Sequence, residues 1–413
     1  MSSSNSLVKP EAVDGRSFRN ETLVGLKCLR CERSYKLDDP HIDCGLGCRT
    51  CLDEGFPVGL RCEYAPESKM TIDREKTGMF RFSSKLPFHD FPSLGEGGTA
   101  LVSLPGLASQ AGVEQVFIKN EGQNPTGSHK DRMSPLAVAR AIDAGFSKVV
   151  CSSSGNAGAS LASYAARAGV QCCVIASTDI SAQWANAIRL TGCELQMVAD
   201  DQRWPLTEKM VQEEGWFPIT NYWFTPIGSN PFGIEGYKTI AHEIAEQLRQ
   251  SPPTVVVVPT CRGDVLLGLW RGFVEAQEAR FIDSLPRLVA VEPGARLELV
   301  LAGSDYRSVF KVADNSMTSI DGGTATYQSF KALQATSGSA VSVGAAAVIS
   351  AQRTLAEQGL HLELSSASSL AGLWRLAEGA RLHRSDRVVL IGTSHGYKEP
   401  PEAAATSSTR SCN

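Results

Sequence analysis

The sequence lacks an excess of charge of either sign, a long apolar run and an apolar leader. Its 413 residues carry 40 Lys and Arg against 44 Asp and Glu, and the net charge of −4 provides no basic surface for nucleic acid or an anionic membrane. No apolar run approaches the roughly 18 residues that span a bilayer, and residues 1–20 contain no signal-peptide core. We therefore expect a cytoplasmic protein without a nucleic-acid or membrane partner.

Internal repeats, heptads and the glycine patterns of dinucleotide-binding and P-loop proteins are also absent from the sequence. The chain instead alternates short β-branched runs such as VEQVFIKN and TVVVVP with longer amphipathic stretches such as RMSPLAVARAIDAG and GYKTIAHEIAEQLRQ. This alternation predicts βαβ units. We expect an α/β protein with two doubly wound lobes, mainly parallel sheets, and a cleft at the carboxyl ends of the strands.

Composition suggests where the domain boundaries lie. The predicted parts are a mobile polar tail at 1–20, a cysteine-rich ribbon-like segment at 21–66, a main region at 67–399 and a second mobile tail at 400–413. Within the main region, about 127–225 forms the smaller lobe and the remainder forms the larger lobe. The main region therefore contains the predicted cleft.

Six of the twelve cysteines lie in one short segment, between Cys28 and Cys62. Two Cys-x2-Cys pairs in this segment have the spacing of two knuckles around one tetrahedral zinc ion. The predicted zinc ligands are Cys28, Cys31, Cys48 and Cys51. Cys44 and Cys62 leave the choice of ligands open, and a ribbon whose thiols bind no metal is the alternative.

The segment NPTGSHKDRM places Lys130 behind a turn-rich loop and directly ahead of an amphipathic helix. A lysine at a helix N-terminus with Arg132 beside it should have a lowered pKa and a more nucleophilic amine. The alternative is a solvated lysine that pairs with Asp131. Lys130 is the candidate catalytic residue.

The segment CSSSGNAGASLASYAARAG joins a buried strand to a helix through small residues. Backbone N–H groups at such a helix start suit a carboxylate, and Asn156 offers an amide donor to an aromatic hydroxyl. The predicted substrate-binding residues are Ser153, Ser154, Gly155, Ala157 and Gly158. The alternative is that the small residues only allow the helix to pack closely on the sheet.

A further strand-to-helix turn, in VVVVPTCRGDVLLG, has the geometry that holds phosphate on backbone donors. The predicted phosphate-binding residues are Thr260, Cys261, Arg262, Gly263, Asp264 and Val265. Arg262 would contact the phosphate through a charge-assisted hydrogen bond, and Asp264 would cap the helix.

Four segments in this order, NPTGSHKDR, SSSGNAGASLASYAARAG, GIEGYKTIAHEIAEQL and GTSHGYKEP, resemble those of threonine synthase and related pyridoxal 5′-phosphate enzymes of the tryptophan synthase β-subunit fold. The resemblance covers about residues 26–400, including the cysteine-rich segment that ends in LRCEY. It implies that Lys130 forms a Schiff base with the cofactor, that Asn156 bonds the 3′-oxygen, that the loop 260–265 holds the phosphate, and that Thr393 faces the pyridine nitrogen. It also implies a homodimer.

The resemblance implies a lyase of amino-acid metabolism that eliminates or replaces a β- or γ-substituent, with O-phosphohomoserine to threonine as the nearest activity. One alternative is a lyase or β-replacement enzyme for another amino acid, phosphorylated or not. Another is a non-catalytic regulatory protein that binds the cofactor or zinc. His129 and Met133 stand where the family has phenylalanine and glycine, and the phosphate loop has fewer glycines than in the family. These differences leave the identity of the substrate open.

Overall fold

The computed structural model describes residues 19–312 and 316–398. The predicted tails at the two ends of the chain lie outside the described residues, apart from Arg19 and Asn20. Asn20 is buried, and its Nδ2 donates to the carbonyl oxygen of Leu86 at 2.9 Å. The folded part of the chain therefore begins before residue 21.

Strands and helices alternate along most of the described chain. The strands are β1 Leu23–Cys28, β2 Ser34–Tyr35, β3 Leu60–Tyr64, β4 Leu101–Ser103, β5 Gln115–Asn120, β6 Lys148–Ser152, β7 Gln171–Ser177, β8 Glu194–Val198, β9 Phe217–Pro218, β10 Val255–Pro259, β11 Arg287–Glu292, β12 Ser339–Ser342 and β13 Arg387–Gly392. The α-helices are α1 Arg49–Asp53, α2 Pro105–Ala111, α3 Ser134–Asp143, α4 Asn156–Ala168, α5 Ala182–Leu190, α6 Arg203–Glu214, α7 Pro231–Ile234, α8 Lys238–Gln247, α9 Asp264–Glu278, α10 Arg296–Leu301, α11 Tyr327–Ala335, α12 Ala345–Ala356 and α13 Leu364–Glu378. None of the described helices has both the length and the apolar character needed to cross a membrane.

Two sheets form the cores of two lobes. The larger sheet has the strand order β12-β11-β10-β13-β5-β4 and is parallel except for β4, which runs antiparallel to β5. The smaller sheet has the order β8-β7-β6-β9 and is parallel throughout. These sheets confirm the predicted α/β class with two lobes and mainly parallel strands.

Strand β10 shows why the larger sheet forms. Its sequence VVVVP is buried at every position, as expected for a parallel strand whose two faces are both covered by helices. Helix α9 follows directly and packs closely against the start of α8, because a Cβ on Gly268 would lie only 2.3 Å from the Cβ of Tyr237. This close approach keeps Tyr237 at the edge of the cleft.

The cysteine-rich segment forms a separate small antiparallel sheet with the order β2-β1-β3. It docks on the larger lobe, where a guanidinium nitrogen of Arg271 donates to the carbonyl oxygen of Cys62 at 3.1 Å. The Tyr64 hydroxyl donates to a carboxylate oxygen of Glu235 at 3.0 Å. The segment is thus held to the larger lobe by polar contacts.

A buried ion network fixes the loop that carries Lys130. Nε of Arg132 donates to Glu121 at 2.6 Å, and Nη1 donates to Glu243 at 2.7 Å. Nζ of Lys119 also donates to Glu243, at 2.6 Å. Burial would raise the pKa of Glu243, but the charges of Arg132 and Lys119 outweigh it and hold that pKa well below its ordinary value.

Candidate active site

Lys130 lies in the 3₁₀ helix His129–Arg132, which precedes α3. Its backbone N–H donates to Ser128 Oγ at 3.3 Å, and its Nζ donates to the Tyr237 hydroxyl at 3.4 Å. Asp131 does not pair with it, because that carboxylate accepts hydrogen bonds from other side chains, including Ser160 Oγ at 2.7 Å. The alternative of a solvated Lys130–Asp131 pair is therefore wrong.

Burial lowers the pKa of Lys130, and the charge of Arg262 adds to the effect while Asp264 opposes it. The direction agrees with the prediction from sequence, but the cause differs. Arg132 was expected to repel Lys130, yet its guanidinium bonds Glu121 inside the protein. The amine becomes a better nucleophile mainly because it is withdrawn from water.

Three distant segments meet around Lys130. Asn156 begins α4, and Thr393 directly follows β13. Ser394 Oγ lies 3.1 Å from Asn156 Oδ1, and the backbone N–H of His129 donates to the carbonyl oxygen of Thr393 at 2.8 Å. The structure thus brings together Lys130, Asn156 and Thr393.

The Asn156 carboxamide is held on both sides. Its Nδ2 donates to Glu363 at 3.0 Å, and its Oδ1 accepts from Lys398 Nζ at 2.7 Å. An amide oxygen facing an ammonium and an amide nitrogen facing a carboxylate fix which way the group points. Burial raises the pKa of Glu363, and its bond from Asn156 opposes that rise.

The hydroxyl of Thr393 is supported from α13. Its Oγ1 lies 2.7 Å from Ser366 Oγ, and Ser366 Oγ accepts a hydrogen bond from the backbone N–H of Ser394 at 2.6 Å. All three residues are buried. The hydroxyl predicted to face the pyridine nitrogen is therefore oriented by a neighbour that was not predicted.

The loop at the start of α4 is organised by its own serines. Ser153 Oγ accepts from the backbone N–H groups of Gly155 and Gly158 at 3.3 and 3.1 Å, and Ser154 Oγ accepts from that of Ser177 at 2.8 Å. A Cβ on Gly158 would lie 2.9 Å from a methyl carbon of Val174 on β7, so close packing is one reason for a small residue there. The predicted substrate residues Ser153, Ser154, Gly155, Ala157 and Gly158 lie together beside Asn156.

The predicted phosphate loop joins β10 to α9. Gly263 has a φ of +76°, and a Cβ there would lie 2.4 Å from the Cβ of Ser329. The Thr260 hydroxyl donates to the carbonyl oxygen of Val258 at 2.8 Å, and the Cys261 thiol donates to that of Asp321 at 3.2 Å. Val265 lies in the first turn of α9.

The structure places the side chains of Asp264 and Arg262, for which the sequence predicted a helix cap and a phosphate contact. Asp264 was expected to cap α9, but it is the first residue of that helix, and its carboxylate accepts from the Ser229 hydroxyl at 2.6 Å. The guanidinium of Arg262 reaches across the cleft and lies 5.2 Å above the ring centroid of Trp204 in the smaller lobe. Nε of Arg262 is buried without a hydrogen-bond partner among the described residues.

His129 is a packed residue. Its Nδ1 lies 3.0 Å from the carbonyl oxygen of Thr393, and its ring centroid lies 5.6 Å from that of Tyr237. Burial lowers the pKa of His129 well below its ordinary value. The neutral ring therefore packs against the loop and supports it.

This geometry agrees with comparisons to known proteins. A family model described as pyridoxal-phosphate dependent enzyme matches residues 92–394. The chain belongs to this family. A threonine synthase from Methanocaldococcus jannaschii is 31% identical over 393 residues, covering 92% of this chain and 94% of that protein. A threonine synthase from Mycobacterium tuberculosis is 32% identical, covering 75% of this chain and 84% of that protein.

Solved structures agree on the fold. Diaminopropionate ammonia lyase from Escherichia coli in complex with D-serine aligns with a TM-score of 0.64 at 18% identity, covering 76% of this chain and 88% of that one. Processed threonine deaminase isoform 2 from Solanum lycopersicum aligns with a TM-score of 0.61 at 20% identity, covering 72% and 83%. The chain is thus a threonine synthase-like, pyridoxal-phosphate-dependent lyase of amino-acid metabolism, as predicted. A homodimer and a cytoplasmic location stay predictions.

The residues of the cleft fit the cofactor of this family. Pyridoxal 5′-phosphate presents an aldehyde, a 3′-hydroxyl, a pyridine nitrogen and a phosphate. The cleft offers the amine of Lys130, the carboxamide of Asn156, the hydroxyl of Thr393 and the guanidinium of Arg262. The unpartnered Nε of Arg262 leaves a buried donor for an anion.

The four predicted metal ligands form one group outside the cleft. Their Sγ atoms all lie within 4.8 Å of one another, and the Cys28–Cys51 and Cys31–Cys48 distances are both 3.6 Å. Four thiolates at about 2.3 Å from a tetrahedral zinc ion would be about 3.8 Å apart, so the group fits zinc. Cys44 is turned away, with its Sγ donating to the carbonyl oxygen of His41 at 2.9 Å.

Several residues that line the site were not predicted. They are Tyr237, Lys398, Glu363, Ser366 and Trp204. Tyr237 and Lys398 lie inside the segments GIEGYK and GTSHGYKEP, so a signal was available for both. The other three lie in segments without a recognisable motif, and only the fold brings them to the cleft.

Proposed function

We propose that this enzyme converts an amino acid with a phosphorylated γ-hydroxyl, with O-phosphohomoserine and water as substrates and threonine and phosphate as products. The observation that carries the proposal is the state of Lys130, a half-buried residue whose amine has a lowered pKa and contacts the Tyr237 hydroxyl instead of a carboxylate. Relatives named threonine synthase, one of them matching 92% of the chain, support this substrate over others.

The roles of the cleft residues follow from chemistry. When bound, the cofactor withdraws electrons from the α-carbon of the amino acid and so labilises its α-hydrogen. We assign Lys130 to hold the cofactor through its aldehyde, and its Nζ would accept the α-proton of the substrate and return it. A lowered pKa keeps more of this amine in the neutral form that accepts a proton.

The remaining residues hold the cofactor ring in place. The Asn156 carboxamide has two N–H groups, of which one donates to Glu363 and the second is available for the 3′-oxygen. We assign Thr393 to the pyridine nitrogen and Arg262 to the phosphate. Thr393 would present a neutral hydroxyl, which does not hold a proton on the nitrogen as a carboxylate would, so the bound cofactor would be a weaker electron acceptor and prompt elimination would be favoured.

A product assay tests this function. Purified enzyme is incubated with O-phosphohomoserine, O-phosphoserine, serine and threonine, and phosphate, ammonia, keto acid and threonine are measured. We expect phosphate and threonine in equal amounts from O-phosphohomoserine only, and none from the Lys130→Ala variant. Ammonia with keto acid from serine or threonine would indicate a lyase of another amino acid. No product and no absorbance change with any amino acid would indicate a regulatory protein.

We also propose that Cys28, Cys31, Cys48 and Cys51 hold one structural zinc ion. The four Sγ atoms form a closed group, three of the four residues are buried, and Cys48 caps the N-terminus of α1, where its Sγ accepts from the backbone N–H of Cys51 at 3.5 Å. A closed site of four thiolates leaves no position for water or substrate. The ion would therefore stabilise the ribbon without entering the reaction.

Metal analysis of two matched variants tests the zinc site. We expect about one zinc ion per chain in protein purified without chelator, its loss in Cys28→Ser, and its retention in Cys44→Ser, which makes the same chemical change in the same segment. Cys28→Ser should also unfold at a lower temperature while keeping its cofactor absorbance. Zinc-free wild-type protein, or equal loss from both variants, would rule the site out.

A further inference from the structure

A cavity of about 450 Å³ lies between the cysteine-rich segment and the larger lobe. One wall consists of Arg61, Glu63 and Tyr64 of β3, and another consists of Trp270 and Val274 of α9. Because α9 rises about 1.5 Å per residue, these last two residues lie about 9 to 15 Å along its axis from the end that carries the predicted phosphate loop. The cavity is therefore separate from the cleft.

Lys85 brings an ammonium without an acidic partner to this cavity. It ends the 3₁₀ helix Gly78–Lys85, and only 6% of its surface is exposed. Among the described residues, no oxygen lies at hydrogen-bond distance from its Nζ, which faces the ring of Tyr64 with 5.2 Å to the centroid. A buried ammonium without a hydrogen-bond acceptor costs free energy. Its three N–H donors are available to a ligand in the cavity.

A second lysine beside the same ring has the partners that Lys85 lacks. Lys238 Nζ lies 4.6 Å from the Tyr64 centroid and bonds Glu235 at 2.5 Å and Glu275 at 2.8 Å. Burial lowers the pKa of Lys85, and the charge of Glu275 opposes that fall without forming an ion pair with it. The fold thus provides carboxylates for one of the two lysines and leaves the other to the cavity.

The other charges around the cavity balance one another. Most of them belong to ion pairs, which are Arg61–Glu32, Lys27–Glu63, Lys238–Glu275 and Arg271–Glu235. Lys331 and Glu278 also line the cavity and contribute one charge of each sign. The excess is therefore the single positive charge of Lys85, which one carboxylate would neutralise. The apolar surfaces of Trp270 and Val274 suit a ligand with an apolar body.

We propose that this cavity is a second ligand site, which binds a singly charged organic carboxylate with its acid group on Lys85 and its apolar part against Trp270. The proposal is independent of the substrate of the enzyme. Because the cavity lies outside the cleft, the ligand would be bound without being consumed. It would contact the cysteine-rich segment and α9 together, and so should stabilise the docking of the segment on the larger lobe.

Calorimetric titration of the holoenzyme with 3-phenylpropionate tests the site. This probe has no amine and so cannot replace Lys130 on the cofactor. We expect the wild type to bind it, and Kd to rise about ten- to a hundredfold in Lys85→Met, as for the loss of one charge-assisted hydrogen bond. Lys148→Met is the matched control and should equal the wild type, because Lys148 Nζ also lies beside a ring, 5.4 Å from the centroid of Trp216, but in the smaller lobe.

Two analogues of the probe test the charge of the ligand. 3-Phenylpropanamide has the same shape without the charge, and it should bind the wild type and Lys85→Met with Kd values within about twofold of each other. Phenyl phosphate carries a second negative charge that the cavity does not balance, so it should bind the wild type more weakly than 3-phenylpropionate. Tighter binding of phenyl phosphate would overturn the choice of a carboxylate.

Unfolding temperatures distinguish a ligand site from a lysine that only supports the fold. Without ligand, Lys85→Met should unfold at the temperature of the wild type or above it, because an apolar group replaces an unpaired buried charge. With 3-phenylpropionate, the temperature should rise in the wild type and not in the variant. A lower unfolding temperature of the ligand-free variant would overturn the proposal.

The remaining outcomes also decide the matter. Absence of binding to the wild type, or equal Kd values for 3-phenylpropionate in the wild type and Lys85→Met, would overturn the site. Displacement of the probe by L-threonine would place it in the cleft instead. Failure of the enzyme to convert O-phosphohomoserine would overturn the proposed function and leave this site standing, because none of these measurements depends on turnover.

Discussion

Lys130 and Arg132 lie two residues apart in one 3₁₀ helix, yet their cationic groups have opposite surroundings. In the interior, the Arg132 guanidinium bonds Glu121 and Glu243 at 2.6 and 2.7 Å. In the cleft, Lys130 contacts only a hydroxyl, that of Tyr237, at hydrogen-bond distance among the described residues. One cation is fully paired, and its neighbour is left without an acid.

The difference extends beyond this helix. Lys398 contacts two neutral oxygens, and Arg262 faces the ring of Trp204. Paired charges in the interior hold a geometry, because removing either partner leaves a buried charge alone. Unpaired cations in a cleft are available to anions from outside. Among the described residues, none of these three cations has a carboxylate within hydrogen-bond distance, although Asp264 and Glu363 lie nearby, so each can bind an anion that enters the cleft.

The largest effect should come from the cleft. Lys130→Ala should abolish turnover, because the amine that bonds the cofactor and moves the α-proton is lost. Urea unfolding should show a change in free energy of unfolding of less than about 1.5 kcal/mol, since no ion pair is broken. Borohydride reduction of the wild type followed by peptide mapping should place a pyridoxyl label on Lys130. A label on Lys398 or another lysine would reverse the assignment.

The matching change in the interior should act on stability. Arg132→Met should lower the free energy of unfolding by about 3 to 5 kcal/mol, because Glu121 stays buried without a cation and Glu243 keeps only Lys119. Urea unfolding of the holoenzyme measures it. Adding Glu121→Gln to this variant should restore part of the stability, because the unpaired buried carboxylate is removed. A loss below about 1 kcal/mol would mean that the interior pairs do not hold the loop.

Arg262→Ala should weaken binding of pyridoxal 5′-phosphate by about ten- to a hundredfold, which corresponds to the roughly 1.5 to 3 kcal/mol of a charge-assisted hydrogen bond. Titration of the apo-protein measures it. Arg249→Ala is the control, because that guanidinium lies 4.8 Å from the ring centroid of Phe281 and so loses only a ring contact. Unchanged cofactor affinity with a raised KM for the amino-acid substrate would show that Arg262 binds the substrate instead of the cofactor.

The smallest effect should come from Ser366→Ala. This change removes the neutral hydroxyl 2.7 Å from Thr393 Oγ1, and a neutral hydrogen bond contributes about 1 kcal/mol, so cofactor affinity should fall about fivefold. The absorbance of the bound cofactor should shift as well, because Thr393 is released. Ser368→Ala is the control, since within the described part of the chain that hydroxyl bonds only the carbonyl oxygen of Ser365, at 2.7 Å. Equal effects in both variants would deny Ser366 a role in orienting Thr393.

Residues inside strand-to-helix turns were predictable from sequence. Lys130 and Arg262 follow strands of the larger sheet and Asn156 follows a strand of the smaller sheet, and parallel strands direct such turns to the carboxyl edge of each sheet. The segment patterns therefore sufficed for the α/β class, the two lobes and the approximate composition of the cleft. Short sequence patterns predict these turns because each turn is formed by residues that are close together in the chain.

Contacts between distant segments were not predictable in the same way. Glu363 meets Asn156 across 207 positions, and Arg262 meets Trp204 only because two lobes face each other. The predicted cause of the lowered pKa of Lys130 was wrong for the same reason. The main cause is burial, which depends on the residues that pack around the lysine. The sequence showed that Lys130 precedes a helix and lies near Arg132. It did not show which residues of other segments pack around Lys130.

Strand β13 follows every other described strand along the chain, yet it lies between β10 and β5 inside the larger sheet. A ribosome must therefore complete residues 387–392 before this sheet can close, although β5 has long since left the exit tunnel. Until then the edges of β5 and β10 that β13 will join expose unpaired backbone groups, which invite aggregation. A nascent chain should thus become able to bind the cofactor only after β13 has been synthesised. Formation of the smaller lobe should not be sufficient.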